Sequence, residues 1–395
     1  MKQYNAALIG IGGFGKNHTK QMVEHASERR LKCVAFAEPN PEANRPYYDS
    51  LVGIGVKPYV DYREMIQAHP EIDFVAIATP IALHKPMCVY AMEHGMHALT
   101  EKPPAVTVQD VEEMAEVSRR TGKLCSVSFQ MTGINAFRKL LELLRDGAVG
   151  ELKQVTGTGL WHRTDEYYAR TAWAGKLTQS GQYVLDGTMN NPFSHLLNNC
   201  LYAAGMGDPA KAAPVRVQAE LYHGHAIDAE DTSCVRIETA CGVDVRFYAT
   251  LCHSSSDTPQ LVAHGTAGKM VWDYGHRLKV VGADGNERVL EFPKEDLTRN
   301  MYMNLMEAIA AGDAGQKTLY CPVDACRSFV QATNGAFESA KAIHPLPVEY
   351  WERLSVVIAR AAAEGKLFSE LGEPWAVPSA PFALDGYRRF ALYQE

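Results

Sequence analysis

The sequence predicts an α/β fold in two parts: a parallel-sheet domain over residues 1–128, then an α+β domain with a mostly antiparallel open sheet over residues 129–395. Three observations predict it. In the first third, short apolar runs alternate with helical patterns, as where helices join parallel strands. Near Phe129 that rhythm changes to strand-like stretches, several of them separated by turn residues. The chain, at 395 residues, also exceeds the usual size of one domain.

In order, "YNAALIG" reads as a buried strand, Phe14 to Arg29 as a helix and "LKCVAFA" as the second strand. "IDFVAIATP", "MHALTEKP" and "KLCSVSF" are later strands, separated by helices from about Ala82 to Glu93 and Val108 to Thr121. After a helix from about Asn135 to Asp146, the strand-like stretches are "ELKQVTGTGLW", "PVRVQAELY", "TSCVRIET", "VDVRFYATL" and "KMVWDY", with turns at "ACGVD" and "GADGN". The helices expected in this second domain run from about Asn191 to Ala204, Asn300 to Ala311 and Pro322 to Ala342. The tail adds one more, "WERLSVVIARAAAEGK".

Composition narrows the function classes. Hydrophobic residues make up 46% and charged residues 22%, as in ordinary globular chains. A net charge of -7 without a long basic run disfavours a nucleic-acid or anionic-membrane partner, since both need a cationic patch. Nine scattered cysteines without a CxxC pair disfavour a disulfide framework or structural zinc site. The N-terminal stretch reaches glycine too early for a signal-peptide core, and no apolar run approaches the ~20 residues of a membrane span. A cytoplasmic, enzyme-sized protein is expected.

"GIGGFG" sets Gly10, Gly12 and Gly15 in GxGxxG spacing between a strand and a helix that opens at Phe14. Gly10 serves a tight turn, Gly12 lets the backbone approach a pyrophosphate, and Gly15 lets helix and strand pack closely. The helix start then offers N–H groups and partial positive charge to phosphates. This is the Rossmann dinucleotide-binding pattern. The second strand ends at Glu38, 23 residues after Gly15. A carboxylate there accepts hydrogen bonds from ribose hydroxyls and repels a 2′-phosphate, favouring NAD. Arg45 nearby keeps NADP open.

"TEKPPAV" places Glu101-Lys102-Pro103 at a strand end, downstream of "IATPIALHKP" with Thr79, Pro80 and His84. Carboxyl ends of strands line the ligand crevice of such sheets. A lysine there, restricted by the following proline, can donate to a substrate hydroxyl and stabilise alkoxide charge. The order GxGxxG, acidic end of strand two, ATPxxxH and EKP, before a mostly antiparallel sheet, resembles the Gfo/Idh/MocA family. That family is named for glucose–fructose oxidoreductase, inositol dehydrogenase and a rhizopine-catabolism protein. The resemblance covers most of the chain. It implies an NAD-dependent oxidoreductase acting on a sugar, sugar acid, cyclitol or related polyol, assembled as a homodimer or homotetramer through the second domain. It further implies that Thr79, Pro80, His84 and Glu101 lie on the cofactor side, and that Lys102 sits beside the nicotinamide.

The family usually carries DxGxHxxD on the first helix of the second domain. Aligned on the histidine, "DGTMNNPFSHLLNN" gives Asn191, Phe193, His195 and Asn198, so both acids are amides here. His195 stands where the family's proton-transferring histidine lies, and it is expected to face Lys102 near the nicotinamide. Asparagines cannot raise its pKa by charge, yet they can grip a hydroxyl by donating and accepting. Asp186 replaces the lost acid if the turn folds it inward. The stretch "LWHRTDEYYARTAWAGK" offers Arg163, Tyr168 and Arg170 among Trp161, Tyr167 and Trp173, suited to a sugar ring with an acidic group. His223, His225 and His253 lack partners in ligand spacing, so no metal site is expected. Two competing readings are an NAD-using glycosidase or lyase with transient redox chemistry, and a non-enzymatic NAD sensor.

Overall fold

The computed structural model describes residues 3–312, 315 and 318–392. They form two compact units. The first runs up to Ala105 and adds Asp110–Gly133 and Glu295–Asp324; the second comprises Val106–Gln109, Ile134–Lys294 and the chain from Ala325 on.

In the first unit β1 (Tyr4–Ile9), α1 (Gly15–Ser27), β2 (Leu31–Ala37), α2 (Arg45–Gly53), β3 (Lys57–Tyr59), α3 (Tyr62–Ala68), β4 (Phe74–Ile77), α4 (His84–Glu93), β5 (His97–Thr100), α5 (Val108–Thr121) and β6 (Cys125–Val127) follow in order. All adjacent strands pair in parallel, in the order β3-β2-β1-β4-β5-β6. β4 and β6 are buried throughout, which is why their sequences are apolar without alternation. The order reverses between β1 and β4, and the crevice outside the strands' carboxyl ends opens at such a point. This is the expected Rossmann sheet. β3, α2 and α3 have no counterpart among the expected elements.

The second unit contains α6 (Asn135–Arg145), β7 (Leu152–Leu160), α7 (Asp165–Ala169), the hairpin β8 (Thr178–Gln179) and β9 (Gln182–Tyr183), and α8 (Ser194–Ala204). β10 (Pro214–His223), β11 (Thr232–Thr239), β12 (Asp244–Thr250), β13 (Gln260–Gly265), β14 (Gly268–Trp272), β15 (Arg277–Gly282) and β16 (Glu287–Glu291) come next. After α9 (Leu297–Ala310), which belongs to the first unit, the second unit continues with α10 (Arg327–Ala340), β17 (Ile343–Pro345), α11 (Leu354–Glu364) and β18 (Phe382–Ala383). The sheet order is β16-β15-β14-β13-β7-β12-β11-β10-β17, with β18 on β10. Only β7 with β12 and β10 with β17 pair in parallel, so the sheet is mostly antiparallel, as expected. β7 carries Gly157 and Gly159 where α8 crosses it. A Cβ on Gly157 would lie 2.8 Å from Cys200 Sγ, and one on Gly159 would lie 2.4 Å from the Phe193 ring.

Two expectations need correction. The helix expected over Asn300–Ala311 does not belong to the second sheet. As α9 it joins the first unit, where Met301, Tyr302 and Leu305 share a core with Leu8, Met22 and Phe36. An apolar helical face records that it is buried, not which sheet buries it. The helix expected from Asn191 begins only at Ser194, because Asn191 N bonds Gly187 O at 3.0 Å and Phe193 N bonds Thr188 O at 2.9 Å in a preceding turn. Helices lie on both faces of the second sheet: Leu354, Val357 and Ile358 of α11 pack on Tyr222, Cys234 and Tyr248, the face opposite α8.

Candidate active site

At the carboxyl edge of the first sheet the chain turns after β1 through Gly10, with φ +83°. A Cβ on Gly10 would lie 2.5 Å from Ala78 O, and one on Gly15 would lie 2.4 Å from Gly10 O. Both positions therefore need glycine, one for the turn and one for the approach of α1 to β1. At Gly12 a Cβ would meet the side chain of Asn44, from the start of α2, at 2.8 Å. Gly13 has open space where its Cβ would stand. Phe14 is exposed and gives α1 no side-chain cap, leaving the helix's positive end to the turn. Glycine turn, open helix end and acidic strand end together fit a dinucleotide.

Glu38 is buried, and its carboxylate accepts from Asn40 N at 2.8 Å and Ile11 N at 3.2 Å. It thereby ties the end of β2 to the glycine turn, and each oxygen keeps a further lone pair. Arg45 is engaged elsewhere, pairing with Glu42 and lying 3.7 Å from Asp49.

Thr79 and Pro80 follow β4, while Glu101 and Lys102 follow β5. His84 joins the two turns: its Nδ1 lies 2.8 Å from Pro103 O and its Nε2 lies 2.8 Å from Thr79 O. Burial pushes the His84 pKa down against the pull of those carbonyls. With both ring nitrogens on backbone, its visible work is to hold the loop. The Lys102–Pro103 peptide is cis, and Lys102 is half-buried. Glu101 is buried and lies 2.9 Å from His18 Nε2, while His18 Nδ1 lies 2.9 Å from the Tyr302 hydroxyl. Neither His18 nor Tyr302 was among the residues picked from sequence. His18 lies one helical turn beyond Gly15, a cue that was available; Tyr302 offered none, being 284 residues distant from its partner.

In the second unit, Asp186 does fold inward. It is 3% exposed and accepts from Asn191 Nδ2 at 2.7 Å and Gly175 N at 2.8 Å, with Arg170 at 3.7 Å. A carboxylate thus stands against the amide of Asn191. His195 is half-buried in the first turn of α8, and Asn198, one turn on, is buried. The amide atoms of Asn198 make no hydrogen bond to the described residues. The aromatic stretch forms an alternating stack: Arg163 lies 5.0 Å from the Trp161 ring and 4.8 Å from Tyr167, and Arg170 lies 3.7 Å from Tyr167 and 5.2 Å from Trp173. Tyr168 turns instead to His225, at 5.0 Å.

His225 is no ordinary strand histidine. Its Nδ1 lies 2.8 Å from Asp231 and its Nε2 lies 3.0 Å from Arg163 O. Burial lowers its pKa, but the Asp231 carboxylate more than reverses this, so the net shift is upward. Cys252 completes a buried group whose ligand atoms lie within 4.8 Å of one another. Asp231 already accepts from Gly224 N and His225 N at 2.9 Å each, so an imidazolium–carboxylate pair accounts for the cluster. Glu230 beside it is fully buried under the 187–189 turn, and burial pushes its carboxyl up to about 8.

Comparison with known proteins decides the kinship. Residues 4–129 match the model of an oxidoreductase family's NAD-binding Rossmann fold, and residues 137–271 match the C-terminal domain of the same family. The chain belongs to the Gfo/Idh/MocA family. A curated relative, glycosyl hydrolase family 109 protein 1 of Shewanella sp. (strain ANA-3), is 30% identical over 164 residues, 38% of this chain. The chain spans about a third of the length of that relative, 34%. Among solved structures, the WlbA dehydrogenase of Bordetella pertussis, in complex with NADH and UDP-GlcNAcA, aligns with TM-score 0.67. It is 20% identical, over 92% of this chain and 98% of that one. Levoglucosan dehydrogenase, in complex with NADH and levoglucosan, aligns with TM-score 0.69 at 21% identity, over 86% and 97%. At such identities these structures establish the shared fold. NAD is the cofactor of this Gfo/Idh/MocA fold, and the glycine turn and Glu38 fit it.

Proposed function

We propose that this protein is an NAD-dependent dehydrogenase or reductase acting on a CH–OH group of a sugar, sugar acid, cyclitol or related polyol. The observation that carries the reading is the carboxyl edge of the first sheet, which joins the glycine turn, Glu38 and the Glu101-Lys102 turn. When bound, NAD supplies the hydride acceptor. Lys102 donates to the reacting oxygen and offsets the charge that develops on it. His195 takes the hydroxyl proton in oxidation and returns it in reduction. Asn191, Asn198 and Asp186 hold substrate hydroxyls, and Arg163, Tyr168 and Arg170 serve a ring or acidic substituent. The sugar ligands named for the two aligned dehydrogenases support this substrate class. Glu38, with Arg45 paired to acids, favours NAD over NADP.

A second reading is favoured by the curated relatives, one named a glycosyl hydrolase family 109 protein and another an alpha-N-acetylgalactosaminidase. In it, oxidation, elimination of the aglycone, addition of water and reduction return the cofactor unchanged and hydrolyse a glycoside. A panel of sugars, polyols and glycosides, followed for NADH formation and for released aglycone in parallel, separates the two. Accumulating NADH supports the dehydrogenase, and aglycone without NADH supports the glycosidase.

A dimer or tetramer is part of the same reading. α11 and the residues that follow it cover one face of the second sheet over β10, β11 and β12, and a second copy packs over the remainder of that face. Cytoplasmic location accords with nine cysteines without a CxxC pair, eight of them buried. No described helix is long and apolar enough to cross a membrane.

A further inference from the structure

Beside Lys102 runs a hydrogen-bonded chain drawn from three distant parts of the sequence. Tyr302 comes from α9, His18 from α1 and Glu101 from the end of β5. Tyr302 and His18 are fully buried, and Glu101 is 8% exposed. A carboxylate only accepts, so the hydrogen on His18 Nε2 points at Glu101 Oε1, 2.9 Å away. In the neutral ring Nδ1 is then an acceptor, and the Tyr302 hydroxyl, at 2.9 Å, donates to it. One tautomer thus satisfies all three groups. The chain begins on α9, the helix that returns to the first unit after the second sheet.

We propose that Tyr302, His18 and Glu101 are positioning residues that fix an ionised carboxylate against Lys102 and so keep Lys102 an ammonium donor. The proposal rests on the reading of Lys102 given above. The Lys102 backbone N–H lies 3.4 Å from Glu101 Oε2, and the two side chains interact electrostatically. The titratable groups facing Glu101 are His18 from α1, His84 from α4, Tyr302 from α9 and Lys102 from its own turn. Burial drives the Glu101 carboxyl upward, but the His18 hydrogen bond and the electrostatic pull of His18, Lys102 and His84 outweigh it, leaving it below its ordinary value. A carboxylate so held stays charged through the neutral range and opposes loss of the lysine proton. Without His18, the same carboxylate lacks its donor in a buried place, where an unmet acceptor is costly.

The test reads the lysine itself, in cofactor-free protein. The side-chain resonance of Lys102 in carbon-13-lysine-labelled protein, assigned through Lys102→Arg, is titrated in wild type and variants. Glu101→Gln lowers the Lys102 midpoint by on the order of one pH unit, the effect of removing one nearby opposite charge. His18→Leu lowers it in the same direction, and His18→Gln, which keeps a donor, restores part of the loss. Tyr302→Phe removes one oxygen and shifts it less, which keeps the test open if the larger changes prevent folding. A midpoint unchanged in folded Glu101→Gln or Tyr302→Phe overturns the proposal, even if thermal stability falls. Turnover of Lys102→Ala separately tests the reading beneath it: near-wild-type kcat with intact midpoint shifts refutes the catalytic role while leaving the electrostatic coupling measured.

Discussion

Glu38 and Glu230 are both buried acids, and they respond to opposite needs. Glu38 has two backbone N–H donors and stays useful to a ribose. Wild type is expected to bind NAD more tightly than NADP, and Glu38→Ala to narrow that gap while weakening NAD, because Ile11 N loses its acceptor. Titration of both dinucleotides into both proteins checks this, and tighter NADP binding by wild type refutes it. Glu230 lies under the turn leading to Asp186 and Asn191, with its carboxyl pushed up to about 8 by burial. Its folded value exceeds that of the unfolded chain, so the fold prefers the protonated form. Stability is therefore lost as pH rises from about 4.3, the unfolded value, through about 8, at up to about 1.4 kcal/mol per unit. Glu230→Gln stays neutral, so its melting temperature should exceed that of wild type at pH 8 and match it near pH 4.5. His225, also raised, contributes stability below about 6.5 that is lost above its folded value, and it does so equally in both proteins. Equal melting curves at both pH values would contradict the account of Glu230. Such residues were not legible in sequence, since Glu230 in "DAED" looks like any surface acid until the turn covers it.

At the scale of elements, what was legible followed from periodicity and punctuation. β1, β2, β4, β5 and the glycine turn were found because buried parallel strands read as unbroken apolar runs and GxGxxG marks the first crossover. β3 is only three residues long and mostly exposed, so it carried no such signal. The start of α8 was placed three residues early because Asn191-Pro192 imitates a cap and first turn. In fact Asn191 spends its amide on Asp186 and its carbonyl on Ser194. The seat of α8 depends on Gly159, where a Cβ would stand 2.4 Å from Phe193, the residue before the helix. Gly159→Ala is expected to cost about 1–3 kcal/mol through overpacking. It should also depress turnover beyond that loss of stability, because His195 follows Phe193 by two residues. Chemical denaturation beside kcat at full folding checks this. A variant with normal turnover and lowered stability would separate the position of Phe193 from that of His195.

For the whole molecule, the two-part architecture was readable but its seams were not. A change of rhythm near Phe129 announces a second sheet, yet nothing local says that Glu295–Asp324 returns to the first unit. Contacts between residues 18 and 302 are set by three-dimensional packing, which periodicity does not encode. The family resemblance, by contrast, rested on motifs in order, and both family domains match. The central claim is that Lys102 and His195 act on a substrate CH–OH group with NAD. The measurement that tests it most directly is turnover of His195→Ala and Lys102→Ala on the best substrate from the panel, beside NAD affinity and melting temperature. The expected outcome is kcat lower by ~10²–10⁴ in each variant, the usual contribution of a positioned acid–base or electrostatic group, with NAD affinity nearly unchanged. Near-wild-type turnover in His195→Ala, with only its melting temperature lowered, would contradict it.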